Sequence, residues 1–315
     1  MTSVAVVAHR DKRLGGGLPE LRRTLIAHGV TDPLWYEVPK SAKAPKLIRR
    51  AVEQGADLVF VWGGDGMVQR CIDAVAGSGV TIAILPAGTA NLLATNLGIP
   101  KDLEEAVAIG LHGSRRSLDV GVLNGERFAV MGGAGFDARI MGGVDGAAKS
   151  RFGRAAYFGS GARAMKAARR EMKVKVDGKL WFDGKASCVL FGNVGTVTGG
   201  LRIFPDAQPD DGILEIGVVT AHRLTDWLRV LTRIITHNPD RSPMVNMTHG
   251  RKVSVRLDRS SPYELDGGAR TKTRKLRVRI EPAAVCVCVP DETASDDAPN
   301  GSLLAREEQP SHPRR

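Results

Sequence analysis

Two apolar stretches rich in β-branched residues, Leu58 to Trp62 and Thr81 to Leu85, each run into a loop of small residues that opens a helical pattern. Short continuous apolar runs of this kind suit strands buried on both faces, and such strands belong to parallel sheets wound with helices. Val4 to Ala8 is a third run. Leu18, Leu21, Leu25 and Ile26 recur at helical spacing, and Gly29 to Val38 resets the chain into a short strand. Leu47, Ile48, Ala51 and Val52 then mark a second amphipathic helix, which Gly55 ends. This alternation predicts a doubly wound α/β domain whose ligands lie at the carboxyl ends of its strands. Asp102, three residues before Glu105, has the spacing of an N-cap for a helix through Leu111, which closes the domain near residue 113.

From Ser117 the pattern becomes short alternating strands. Asn124-Gly125 separates Leu118 to Leu123 from Arg127 to Met131, and Asp177-Gly178 and Asp183-Gly184 repeat that hairpin device. Hairpins imply antiparallel pairing and a second, mostly β domain over 114–290. Two amphipathic helices interrupt it, Arg154 to Arg170 and Leu224 to Ile235. Strands resume at Lys252 to Leu257, Leu276 to Ile280 and Ala284 to Val289, the last able to return to the first domain. After Pro290 little remains that could be buried, which predicts a disordered tail over 291–315.

The 315 residues carry a net charge of +11, which favours anionic partners. No RNP pattern, zinc-finger spacing or homeodomain signature accompanies the charge, so nucleic acid is not an expected partner. The four cysteines show no CxxC spacing, and Cys286 and Cys288 share one strand face, as core thiols would. No run approaches the roughly 18 apolar residues of a membrane span, and no leader pattern opens the chain. These features suit a cytoplasmic protein able to touch an anionic membrane surface.

Glycines after a buried strand let the backbone approach phosphate oxygens, and the following helix adds its positive end. Gly63-Gly64-Asp65-Gly66 has this form, although alone it also reads as a tight turn. A Rossmann fingerprint would need glycine where Gln69 stands, and a P-loop would need it where Ala148 precedes Lys149-Ser150.

What remains resembles the diacylglycerol kinase catalytic family, which includes sphingosine kinases and bacterial lipid kinases and is distantly similar to NAD kinases and phosphofructokinases. Gly63 to Met67 looks like its G-G-D-G-T element. Pro86 to Asn91 and Leu97 to Pro100 look like P-A-G-T-x-N and L-G-I-P. Phe204 to Leu214 resembles its P-x-A-x-x-D-D-G-x-L segment, and Asp266-Gly267 its D-G-E turn. The resemblance implies an N-terminal nucleotide domain and a C-terminal antiparallel β-sandwich, with ATP and a lipid meeting between them.

Carried over, Gly63, Gly64, Asp65, Gly66, Thr89 and Asn91 would contact ATP, with Arg10 and Ser41 as looser matches. Asp210 and Asp211 resemble an acidic pair that holds Mg²⁺, and the same residues could simply close an Asx turn. Two departures stand out. Met67 replaces a threonine, and Gly268 replaces the glutamate implied as general base. Asp65 could take its place, or Asp266 or a nearby carboxylate, or the protein could bind without turnover. The expected activity is ATP-dependent phosphorylation of a diacylglycerol-like lipid. The alternatives are a nucleotide- or lipid-binding pseudokinase and a kinase of a soluble hydroxyl such as NAD or a sugar. A homodimer is also open.

Overall fold

The computed structural model describes residues 3–135, 169–197, 200–236 and 239–291. The expected basic helix from Arg154 lies outside these residues, apart from Arg169 and Arg170, and so does the expected tail beyond Asp291. Among the described residues no helix is long and apolar enough to cross a membrane.

The first part of the chain alternates as its periodicities require: β1 (Val4–His9), α1 (Gly17–Ala27), β2 (Leu34–Val38), α2 (Ala44–Glu53), β3 (Leu58–Gly63), α3 (Asp65–Val75) and β4 (Thr81–Pro86). Two further helices follow, α4 (Leu92–Asn96) and α5 (Leu103–His112). The Asp102 side chain caps α5 by accepting from the Glu105 N–H at 3.0 Å. Every residue of β3 is buried, as expected of a strand covered on both faces. Ile26 departs from the expected core stripe of α1, being 56% exposed.

Parallel pairing gives the strand order β2-β1-β3-β4. The order reverses between β1 and β3, so a crevice opens beyond their carboxyl ends. Register brings the two glycine loops together there. Trp62 lies opposite Leu85 and Gly63 opposite Pro86, and the Ala87 N–H donates to the Gly63 carbonyl at 2.9 Å.

The second part begins with β5 (Ser114–Leu123), β6 (Glu126–Phe128), β7 (Met131–Ala134), β8 (Arg170–Val176), β9 (Lys179–Ala186) and β10 (Cys188–Gly192). The short pair β11 (Thr196–Val197) and β12 (Leu201–Arg202) and the strand β13 (Leu214–Val219) precede the helix Leu224–Ile235. The chain then adds β14 (Val245–Gly250), β15 (Lys252–Ser261), β16 (Tyr263–Leu265), β17 (Gly268–Ala269) and β18 (Thr273–Val289). One sheet runs β14-β13-β10-β7-β16-β17. The other continues the parallel sheet as β4-β18-β15-β8-β9, with β5 against β18. Their facing sides share a core that includes Phe128, Phe191, Leu214, Val255, Leu276 and Val278, which makes this half a β-sandwich.

Three details differ from the sequence expectation. Asp183-Gly184 makes no turn and lies inside β9, while Asn124-Gly125 and Asp177-Gly178 do turn, with φ of 50° and 96° and of 47° and 85°. The stretch expected as one strand from Arg127 to Met131 is split, because the Ala129, Val130 and Met131 N–H groups turn toward the Asp266 carboxylate. The two expected final strands form a single one, kinked where Ala283 takes φ of 48°. Its last residues run parallel to β4, with Cys286 opposite Thr81 and Val287 opposite Ile82. Cys288 is buried there and Cys286 only partly so.

Candidate active site

At the crevice lies a cavity of about 320 Å³, reached by loops after β1, β3 and β4 and by β7 and the β16–β17 turn. Part of its lining is small: Gly64, Gly66, Gly88, Gly132, Gly133 and Gly267 contribute backbone alone, and Ala90 only a methyl group. The turn between β3 and α3 is a single residue. Gly64 is extended, and its carbonyl accepts from the Met67 N–H at 2.8 Å and the Val68 N–H at 3.1 Å. Across from it, a Cβ on Gly88 would fall 2.6 Å from Gly64 Cα. Only glycine lets the two loops touch.

Asp65 opens α3 and crosses to the second loop. Its carboxylate accepts from the Asn91 N–H at 2.9 Å and the Leu92 N–H at 2.5 Å, which caps the short α4. Burial raises its pKa, and the Leu92 and Asn91 N–H groups work against that shift. Asn91 is itself an internal fastener, at φ of 51°: its Oδ1 accepts from Gly88 N–H at 2.8 Å and its Nδ2 donates to Gly88 O at 2.9 Å.

Asp266 and Gly267, with φ of 45° and 77°, form the two-residue turn joining β16 to β17. The Asp266 side chain reaches inward and accepts from Ala129, Val130 and Met131 N–H at 2.8 to 2.9 Å. Burial pushes this carboxyl up to about 6 against those three donors, and the charge of Asp65 adds to the push.

The cavity thus collects Gly64, Asp65, Gly66, Thr89, Ser41 and Asp266 from the expected set. Three expected nucleotide residues are not in its lining. At Gly63 the missing side chain makes room for Met67, whose Sδ would lie 2.7 Å from a Cβ there. Asn91 spends its side chain on Gly88. Arg10 is well exposed, with Nε 3.8 Å from Asp11; the basic groups that do line the cavity from this loop are Lys12 and His9.

Asp210 and Asp211 also lie outside the lining. Arg116 Nε and Nη2 donate to both Asp210 oxygens at 2.7 and 2.9 Å, and Asp211 accepts from the Ile213 N–H at 2.9 Å in an Asx turn. Among the described residues no group of three or more His, Cys, Asp or Glu could hold a metal. With Asp210 clamped by a guanidinium, this pair does not fit a magnesium site.

Glu264 went unnoticed in the sequence. It lies on β16 between the buried Tyr263 and Leu265, pairs across the ladder with Gly133, and faces the cavity. The alternation Tyr263-Glu264-Leu265 was the available signal. Gly268, where the resembled family has its glutamate, is filled from another side: a Cβ there would fall 2.7 Å from Arg270 Nη1. Arg270 is held in turn by Glu126 at 2.7 Å.

Known proteins resemble the chain over both parts. Residues 17–123 match the diacylglycerol kinase catalytic domain, and residues 130–289 match the YegS C-terminal NAD kinase beta sandwich-like domain. A diacylglycerol kinase of Bacillus subtilis (strain 168) is 27% identical over 215 residues, covering 67% of this chain and 71% of its own. A "Probable lipid kinase YegS-like" of Chromohalobacter salexigens is 29% identical over 258 residues, covering 79% and 81%. The crystal structure of a diacylglycerol kinase from Bacillus anthracis str. Sterne superposes with a TM-score of 0.70 at 22% identity, covering 91% of this chain and 96% of its own. That last likeness concerns the fold.

Proposed function

The chain belongs to the diacylglycerol kinase and YegS-like lipid kinase family, and from that premise we propose that it transfers the γ-phosphoryl group of ATP to the hydroxyl of a diacylglycerol-like lipid. The observation that carries this is the cavity itself, where the two glycine loops of the parallel sheet meet the carboxylates of the second half. Phosphoryl transfer asks a protein mainly to position groups and neutralise charge. Backbone N–H groups at Gly64 and Gly66, at the start of α3, suit the phosphates. Lys12 brings positive charge to the same cavity. A magnesium ion is expected to arrive on the nucleotide's own phosphates, as this ion usually does.

The acceptor hydroxyl oxygen bonds to the γ-phosphorus, the bond to the β-bridging oxygen breaks, and ADP leaves. The hydroxyl proton needs a base. Asp65 and Asp266 each use both carboxylate oxygens on backbone N–H groups, so their role is to hold the loops in place. Glu264, which β16 sets opposite Gly133 in the cavity lining, takes the proton in this reading, replacing the carboxylate that Gly268 cannot supply.

The test is transfer of labelled γ-phosphate to a panel of lipids in mixed micelles. Label on diacylglycerol supports the reading; none on any lipid, beside a related active kinase that labels its own substrate, would remove it. A second reading, binding without turnover, is favoured by the packing of Arg270 over Gly268. It requires ATP binding by calorimetry with no labelled product.

A further inference from the structure

The outward face of β8, β15 and β18 carries an uncommon charge arrangement. Along these strands the inward residues are apolar and buried, Met172 and Val174, Val253 and Val255, Leu276 and Val278. The outward ones are basic. In one row Arg256 stands directly between Lys173 and Lys275; in the next Ser254 stands between Lys175 and Arg277; beyond it Lys252 faces Arg279. All of these cations are exposed.

Like charges directly opposite one another in a sheet destabilise it, and neighbouring acids relieve only the margins. Asp183 holds Lys173 at 2.8 Å and Glu281 holds Arg279 at 2.6 Å. Among the described residues Lys175, Lys252, Arg256, Lys275 and Arg277 have no ion-pair partner. Between the hairpin tips at Asn124-Gly125 and Gly178 this face dips into a groove of about 630 Å³, lined by Lys175, Lys252, Arg277 and Arg279. An arrangement that costs stability in isolation becomes favourable when an anionic surface covers it.

One apolar residue interrupts the charge. Leu180, 56% exposed, lies opposite Lys175 at the sheet edge. A leucine beside cations gains from entering a lipid headgroup layer and nothing from lying on a sugar-phosphate backbone. The aromatic residues of the same strand, Trp181 and Phe182, pack against the sandwich core and offer bases no stacking platform.

We propose that this basic sheet face docks the protein on an anionic lipid bilayer, with Leu180 entering the headgroup layer. The docking does not depend on phosphoryl transfer.

Flotation of the full chain with vesicles of phosphatidylglycerol and phosphatidylcholine tests it, with pure phosphatidylcholine vesicles and a single-stranded RNA as competing arms. The chain should float with the anionic vesicles and be released as salt rises. Losing two cations through Lys275→Gln and Arg277→Gln should weaken binding about 30-fold, roughly fivefold per charge. Leu180→Ser should weaken it further. The variants should melt no lower than the parent, the charge variant slightly higher as the like-charge repulsion is relieved, and their activity on a short-chain dispersed acceptor should match the parent. Unchanged flotation of the double variant would overturn the proposal. So would loss on the charge variant with none on Leu180→Ser, or tighter binding to RNA than to vesicles. A chain that floats but labels no lipid removes the kinase reading and leaves the docking face standing.

Discussion

In the proposed mechanism the carboxylates of the cavity divide the work, Asp65 and Asp266 holding backbone N–H groups and Glu264 facing the acceptor hydroxyl. Asp65→Asn replaces one acceptor oxygen by an amide and leaves an Asn91 or Leu92 N–H without its partner, at a cost of about 1–3 kcal/mol. Both the thermal midpoint and ATP affinity should fall. Glu264→Gln should leave ATP binding and melting intact while lowering kcat by about 10²–10⁴. If calorimetry showed lost ATP binding with kcat preserved, Glu264 would be a nucleotide contact and not the base. Asp266 carries a pH signature. Its folded pKa of about 6 lies above the ordinary 3.8, so the folded state holds the proton more tightly than the unfolded chain does. Its contribution to stability is therefore greatest below about 3.8 and is lost as pH rises through about 6. The loss is on the order of 3 kcal/mol. Urea unfolding of the parent and Asp266→Asn at pH 4, 5, 6 and 7 reads this directly: the parent's advantage should shrink over that range, and a constant difference would refute the assignment.

At the scale of elements, the site depends on two strand-to-helix loops meeting back to back. The register of β3 with β4 sets Gly63 opposite Pro86, and the glycines beyond them touch. Gly88→Ala would place a Cβ 2.6 Å from Gly64 Cα and 2.7 Å from Asn91 Oδ1. Backbone cannot yield as a flexible side chain does, so the loops must part. ATP affinity should drop at least about tenfold, for a stability loss of about 1–3 kcal/mol. Calorimetry and a melt on one preparation check this, and unaltered affinity would show that the loops do not form the nucleotide contact.

Across the whole molecule, β18 links the parallel sheet to the sandwich. Its first half pairs with β15, and its last residues lie between β4 and β5. Val285, Val287, Cys288 and Val289 are all buried in the core of the first part. Deleting residues 284–315 therefore removes a strand from the N-terminal sheet, although the cut is made nearly 200 residues away in sequence. The truncated chain should lose cooperative unfolding in its nucleotide-binding part, seen as a broadened transition by circular dichroism and loss of ATP binding. A sharp transition with ATP binding retained would show that this part folds without the strand.

The parallel sheet, the two glycine loops and most of the cavity's small residues were legible in the amino-acid sequence, because fully buried strands and the glycine clusters that follow them leave local marks. Asp102 and Asn124-Gly125 behave as their immediate neighbours demand. Tertiary structure decided what depends on register between distant strands. It placed Glu264 opposite Gly133 and toward the cavity, committed Asp266 to three N–H groups more than 130 residues earlier, clamped Asp210 with Arg116, and kept Asp183-Gly184 inside a strand. It also aligned seven cations on one face from three strands far apart in sequence. Periodicity and turn chemistry are carried by neighbouring residues, whereas convergence is set by pairing that only the folded sheet establishes.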